Sequence, residues 1–277
     1  MDKKIPIQTL ELFPVLDHLL IELLKSLPAA DWEHKTITRK WTIKDIAAHM
    51  LDTNIRTISS ARDGHKYAVS NTINNNQQLT QYLNELNATW VLAFKRVSAQ
   101  VIIELLEASN RIYFETISKL DLWADAIYPV SWAGEASSKN WFHIAREYTE
   151  KYIHQQQIRD ALGRDELYAA QLFHPFIETF MQALPYTYRN TLALAGTAVT
   201  VQVSSMGGGC WTIEKKKNGW QFAKPNLQSD TLIDMRPDTA WKLFSKGISP
   251  KEALPDISIR GNKELAMVAL QMVSVMA

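Results

Sequence analysis

The chain has 277 residues, 46% of them apolar, with 30 basic and 29 acidic side chains and a formal net charge of +1. That length and apolar fraction suit one large domain or two ordinary ones with a substantial core, and exclude a globally disordered chain. The charge balance gives no general attraction to nucleic acid or an anionic membrane, and the single cysteine, Cys210, excludes an internal disulfide framework or a multi-cysteine zinc motif.

The opening "MDKKIPIQTLELFPVLDHLL" places lysines before an apolar stretch. Glu11, Asp17 and His18 interrupt it, and no small-residue cleavage site follows, so it does not read as a secretory signal. Leucines 12, 16, 19 or 20, 23 and 27 instead form one face of a first helix. No stretch reaches the roughly 18–20 apolar residues needed to cross a bilayer, so a cytoplasmic location is expected.

The start of a second helix is announced by several signals. Thr42 stands at a cap position, Asp45 completes a capping box three residues on, and Trp41 and Ile46 occupy the staple positions. Helical spacing continues through Ile46, His49, Met50, Thr53 and Ile58 and ends at Asp63-Gly64. The asparagine-rich stretch near 70–78 reads as a loop or a short frayed helix. From about 80 to 119 the spacing of Trp90, Phe94, Val97, Val101, Leu105, Ala108 and Ile112 predicts one long helix with no proline to break it.

Residues 123–141 carry Pro129, Gly134 and a serine pair and read as a connection. A helix is expected from about 140 to 162, stopped by Gly163, and a shorter one over 169–183, perturbed at Pro175. Four main helices joined in this way suggest an antiparallel bundle. After about 185 the pattern changes. "TAVTVQVSSMGGGCWTIEKKKNGWQFAKP" alternates like strands with glycine turns, the Asn218-Gly219 pair marking a hairpin, and "DTLIDMRP" is a further strand. Helices follow over Asp238–Lys246 and from Asn262 to about Met276. The chain therefore divides into a helical domain over 1–185 and a small α+β domain over 196–277.

Within "REYTEKYIHQQQIRDALG", residues 146–163, Glu150 and His154 stand one turn apart and project from one helical face. His49 lies deep in the second helix beside Ile46 and Met50, where a charged imidazolium would be costly. Imidazole and carboxylate suit zinc or a related divalent metal, and three protein ligands leave a position for water or substrate. A surface pair on a wet helix and a metal-free core histidine remain the plain alternatives. His143 is a competitor near the helix entrance. "MGGGC", 206–210, lacks the lysine and hydroxyl residue of a phosphate loop and reads as a turn.

"DWEHKTITRKWTIKDIAAHM" resembles the beginning of the metal-binding domain of the mycothiol-dependent maleylpyruvate isomerases, within the wider DinB-like bundle superfamily; the matching positions are Trp41, Thr42, Asp45 and His49. The second signature of that family, Glu-x3-His followed closely by Asp-Ile or Gln-Ile and then Ala-Leu-Gly, is matched by Glu150, His154, Gln157, Ile158 and 161–163. The tail, with "GWQF", "DTLIDMRPDTAWKLFSKGISPKEAL" and "IRGNKELA", looks like the small domain often attached to that bundle, related in shape to sterol-carrier folds.

The resemblance implies a DinB-like four-helix bundle followed by a small α+β domain, with His49, Glu150 and His154 as ligands of a divalent metal, zinc first. It also implies a low-molecular-weight thiol as cofactor, a small electrophilic or unsaturated acid as substrate, and Arg260 as the cation facing the substrate's carboxylate, with Arg236 as runner-up. The sequence departs from the family at Gln157, where many relatives place aspartate. An open metal position would serve a thiol-dependent isomerase or transferase and a metal-dependent hydrolase of a small amide or ester equally. A non-enzymatic metal-binding, stress-associated protein is the third reading. No nucleic-acid or membrane partner is expected.

Overall fold

Thr42 and Asp45 set the geometry of the helical part. Thr42 is extended, its hydroxyl accepts from the Asp45 amide at 3.3 Å, and the Asp45 carboxylate accepts from the Thr42 amide at 3.0 Å. Both halves of the capping box are thus closed at the start of α2, Ile43–Thr57, which continues into a π-helical turn, Ile58–Arg62. The computed structural model describes residues 4–66, 76–164, 166–225 and 227–275. The polar stretch expected near 70–78 lies largely outside these residues.

Around α2 stand α1, Phe13–Lys25; α3, Asn76–Phe94; α4, Ala99–Ile117; and α5, Asn140–Ala161. The single helix expected over 80–119 is two helices. Ser98 is the reason: its extended backbone and its hydroxyl, accepting from the Val101 amide at 3.3 Å, start α4 afresh. The break also leaves Lys95 to pair with Asp45 at 2.6 Å, which fastens the end of α3 to the start of α2. Leu20, Leu24, Ile46, Leu51, Ile102 and Leu106 are the centre of a continuous apolar core that Ile158 of α5 completes. Among the described residues no helix is long and apolar enough to cross a membrane.

The remaining elements are α6, Ala170–Met181; α7, Leu184–Thr187; β1, Ala198–Val203; β2, Gly209–Lys216; β3, Gly219–Phe222; β4, Thr231–Met235; α8, Pro237–Phe244; α9, Pro250–Ala253; β5, Ile257–Arg260; and α10, Lys263–Ala269. The strands form one sheet in the order β3-β2-β1-β4-β5, antiparallel except for β1 beside β4. Period-two burial puts Val199, Val201, Trp211, Ile213, Trp220 and Ile233 into a core. Helices α6, α7 and α10 contact strands of this sheet. Gly261 ends β5 with φ +87°, and a Cβ there would stand 1.9 Å from the Asp230 carbonyl oxygen, so only glycine fits.

The last helix is shorter than the pattern of Leu265, Val268, Ala269, Met272 and Val273 predicts. It ends at Ala269, because Ser274 bonds elsewhere: its amide donates to the Phe244 carbonyl at 3.1 Å and its hydroxyl to the Phe180 carbonyl at 3.0 Å. β5 was not expected.

The contacts divide the chain into two compact units that do not follow chain order. One comprises Thr9–Leu122 and Glu150–Asp165; the other comprises Met1–Gln8, Trp123–Thr149 and Glu166–Ala277. The stretch 185–196, where the composition changes, lies inside the second of these.

Candidate metal centre

The three residues singled out on the two helices, His49, Glu150 and His154, all belong to the unit formed by Thr9–Leu122 and Glu150–Asp165. The second half of α5 brings His154 against α2, and the two imidazole rings meet edge to face, with centroids 4.7 Å apart and planes at 84°. Glu150, one turn earlier on α5, places its Oε2 3.8 Å from His154 Nε2. His49 is 7% exposed, whereas the side chains of His154 and Glu150 are 13% and 29% exposed, so the carboxylate lies toward the open side. Among the described residues no group of three or more His, Cys, Asp or Glu side chains is drawn together tightly enough to hold a metal ion as placed.

Both rings are kept neutral. Burial pushes His49 well below the usual histidine range, and the neighbouring His154 and the Arg56 cation push it further down. Burial lowers His154 too, opposed by its hydrogen bond with Gln157, whose Oε1 lies 3.0 Å from Nδ1. Gln157 thus fixes the orientation of the His154 ring.

Trp41, expected as a staple at the helix start and as a position of the resembled signature, also packs against the histidine rings. Its indole lies 4.8 Å from the His49 ring and 6.4 Å from the His154 ring. No spacing rule connects an indole ahead of a helix with an imidazole two turns inside it, so this contact was not legible in the sequence. Arg56 pairs within its own unit, as its place on α2 suggests: Nη2 meets Asp52 Oδ2 at 2.9 Å and Asn87 Oδ1 at 3.0 Å.

The other candidates lie in the second unit. Arg260 is the exposed last residue of β5, opposite Leu232 of β4. Arg236, the runner-up, faces Asp256 at 3.7 Å. His143 accepts from Arg146 at 2.7 Å, and burial pushes its pKa down to about 4. Cys210 is exposed on β2, and its thiol is pushed up, first by burial and then by Asp234, so it has no activated thiolate character.

No protein-family model matches the sequence, and no curated protein matches it either. Two solved structures are similar in fold: the mycothiol-dependent maleylpyruvate isomerase, with a TM-score of 0.56, and a histidine-to-alanine mutant of that enzyme, with a TM-score of 0.54. Each match has 10% sequence identity and covers 90% of this chain and 90% of that one. The chain therefore shares the DinB-like fold of the maleylpyruvate isomerase, a helical N-terminal region followed by a small sheet-bearing part, and at this identity the likeness extends to the fold alone.

Proposed function

We propose that the protein binds a divalent metal ion, zinc first, through His49, Glu150 and His154, and that it is a thiol-dependent isomerase or transferase acting on a small electrophilic or unsaturated acid. The observation that carries this reading is the meeting of a buried and a half-buried imidazole, both neutral, from distant parts of the chain, with a carboxylate 3.8 Å from one of them. Two imidazoles that stay unprotonated at neutral pH each keep a ring-nitrogen lone pair available, and a carboxylate beside them adds negative charge to offset that of a divalent cation. The buried His49 Nδ1 has no hydrogen-bond partner, so the polar capacity of this ring is not spent on the core.

When bound, the metal supplies a Lewis acid that lowers the pKa of a thiol and makes it nucleophilic near neutral pH. The chain's own residues do the rest. Gln157 holds the His154 ring by its Nδ1. Trp41 packs beside both imidazoles, with ring centroids 4.8 Å from His49 and 6.4 Å from His154. The fold shared with an isomerase that uses a thiol cofactor supports this choice over hydrolysis.

Elemental analysis of the purified protein tests the reading. Wild type should carry about one divalent metal per chain, and His49→Ala or His154→Ala should carry almost none, as expected when one of three protein ligands is lost. Unchanged occupancy in both variants would sink the assignment. A panel of small thiols with unsaturated acids then tests the chemistry on the loaded protein.

A further inference from the structure

Residues 155–157 are three consecutive glutamines on α5, and all are buried, at 1%, 2% and 6% exposure. A helix turns by about 100° per residue, so the three amides leave it in three directions. Gln155 donates from Nε2 to the Leu16 carbonyl at 3.0 Å and ties α5 to α1. The Oε1 atoms of Gln155 and Gln156 are buried without a hydrogen-bond partner. Gln157 differs. It stands three residues after His154, where side chains are neighbours on the helix surface, and its Oε1 lies 3.0 Å from His154 Nδ1.

The polarity of this bond decides which nitrogen of His154 carries the proton. An amide oxygen only accepts, and burial keeps the ring neutral, so its single proton sits on Nδ1. Nε2, the nitrogen 3.8 Å from the Glu150 carboxylate, then keeps its lone pair. The other tautomer would set two lone pairs against each other at 3.0 Å, beside a glutamine almost closed to water that could replace the lost bond.

We infer that Gln157 is the positioning residue of His154: it holds the Nδ1–H tautomer and so presents Nε2, on the Glu150 side of the ring, as the electron-pair donor. The use of that donor rests on the metal-binding reading above, but the tautomer does not, and it can be read in metal-free protein. A hydrogen-bond acceptor behind a ligand imidazole orients the ring and raises its basicity. An uncharged amide does the first fully and the second less than a carboxylate, which makes Gln157→Glu the conservative exchange.

The test is long-range 1H–15N NMR of the metal-free protein, with the His154 signals assigned by their loss in His154→Gln. Wild type is expected to show the proton on Nδ1. Gln157→Leu, which has no acceptor, should move it to Nε2, where the Glu150 carboxylate is the nearest acceptor left. Gln157→Glu should keep it on Nδ1, and the His49 signals should be unmoved in both variants. A wild-type His154 protonated on Nε2, as an overturned amide would give, sinks the inference whether or not any variant folds. So does a Gln157→Leu protein with the wild-type tautomer. Metal affinity, measured by competition with a chromophoric chelator, should fall about 10- to 100-fold in Gln157→Leu but not in Gln157→Glu. Equal affinity in wild type and Gln157→Leu overturns the part of Gln157 in presenting a ligand. If wild type shows the expected tautomer but takes up no metal, the metal-binding reading fails and the assignment of the tautomer to Gln157 stands.

Discussion

Lys151 follows the candidate ligand Glu150 directly but has a different fate. It turns into the bundle core, where its ammonium donates to Asp17 at 2.7 Å and Asn110 at 3.0 Å and lies 4.7 Å from the centre of the Tyr113 ring. Asn110 also accepts from Asn54 at 2.7 Å, so one buried amide oxygen serves two donors. Burial raises the Asp17 pKa in spite of Lys151, meaning the ion pair does not fully repay the loss of water around the carboxylate. Such a pair adds little as a unit but is expensive to break on one side. Lys151→Met is expected to lose about 3–5 kcal/mol, and the double variant Asp17→Leu/Lys151→Met to recover most of that loss. Urea unfolding of the two variants measures the difference, and equal losses would contradict the argument. None of this was legible in the sequence, where Lys151 looks like one more charge on a wet helix.

At the scale of elements, the chemistry of helix ends decided what could be read. The capping box at Thr42 and Asp45 was visible because both partners lie within one turn. The division between α3 and α4 was missed because apolar periodicity runs straight through it, and Ser98 is a weak mark without a proline or glycine beside it. Ser98→Ala should cost about 1 kcal/mol of stability, read as a lower denaturation midpoint at unchanged slope. A neutral result would mean that the Lys95–Asp45 pair, and not the cap, holds the break in place. Strand β5 was overlooked for another reason: four residues with only Ile257 and Ile259 in alternation fall below the length at which a period of two is recognisable. The end of α10 depended on bonds from Ser274 to Phe244 and Phe180, which no local pattern encodes. Likewise, His49 and the pair Glu150–His154 were each legible as candidates from residue type and spacing, but Trp41 packed beside both rings required three dimensions.

At the scale of the molecule, the order of the helical region and the sheet-bearing part was legible because period 3.6 gives way to period 2 near residue 196. The composition of the compact units was not, since Trp123–Thr149 and α6 belong with the later strands. Several bonds show how closely that unit is joined across the stretch between α7 and β1. Trp211 donates to Glu178 at 2.6 Å, Tyr188 to the Leu265 carbonyl at 2.6 Å, and Trp220 to the Thr191 carbonyl at 3.0 Å. Between them, Leu192 and Leu194 are 92% and 84% exposed and offer a protease an accessible backbone. Scission there should separate two polypeptides in name only. Both pieces are expected to co-elute in gel filtration as a single species and to part only in denaturant, because what holds them is interior packing and not the peptide bond that was cut.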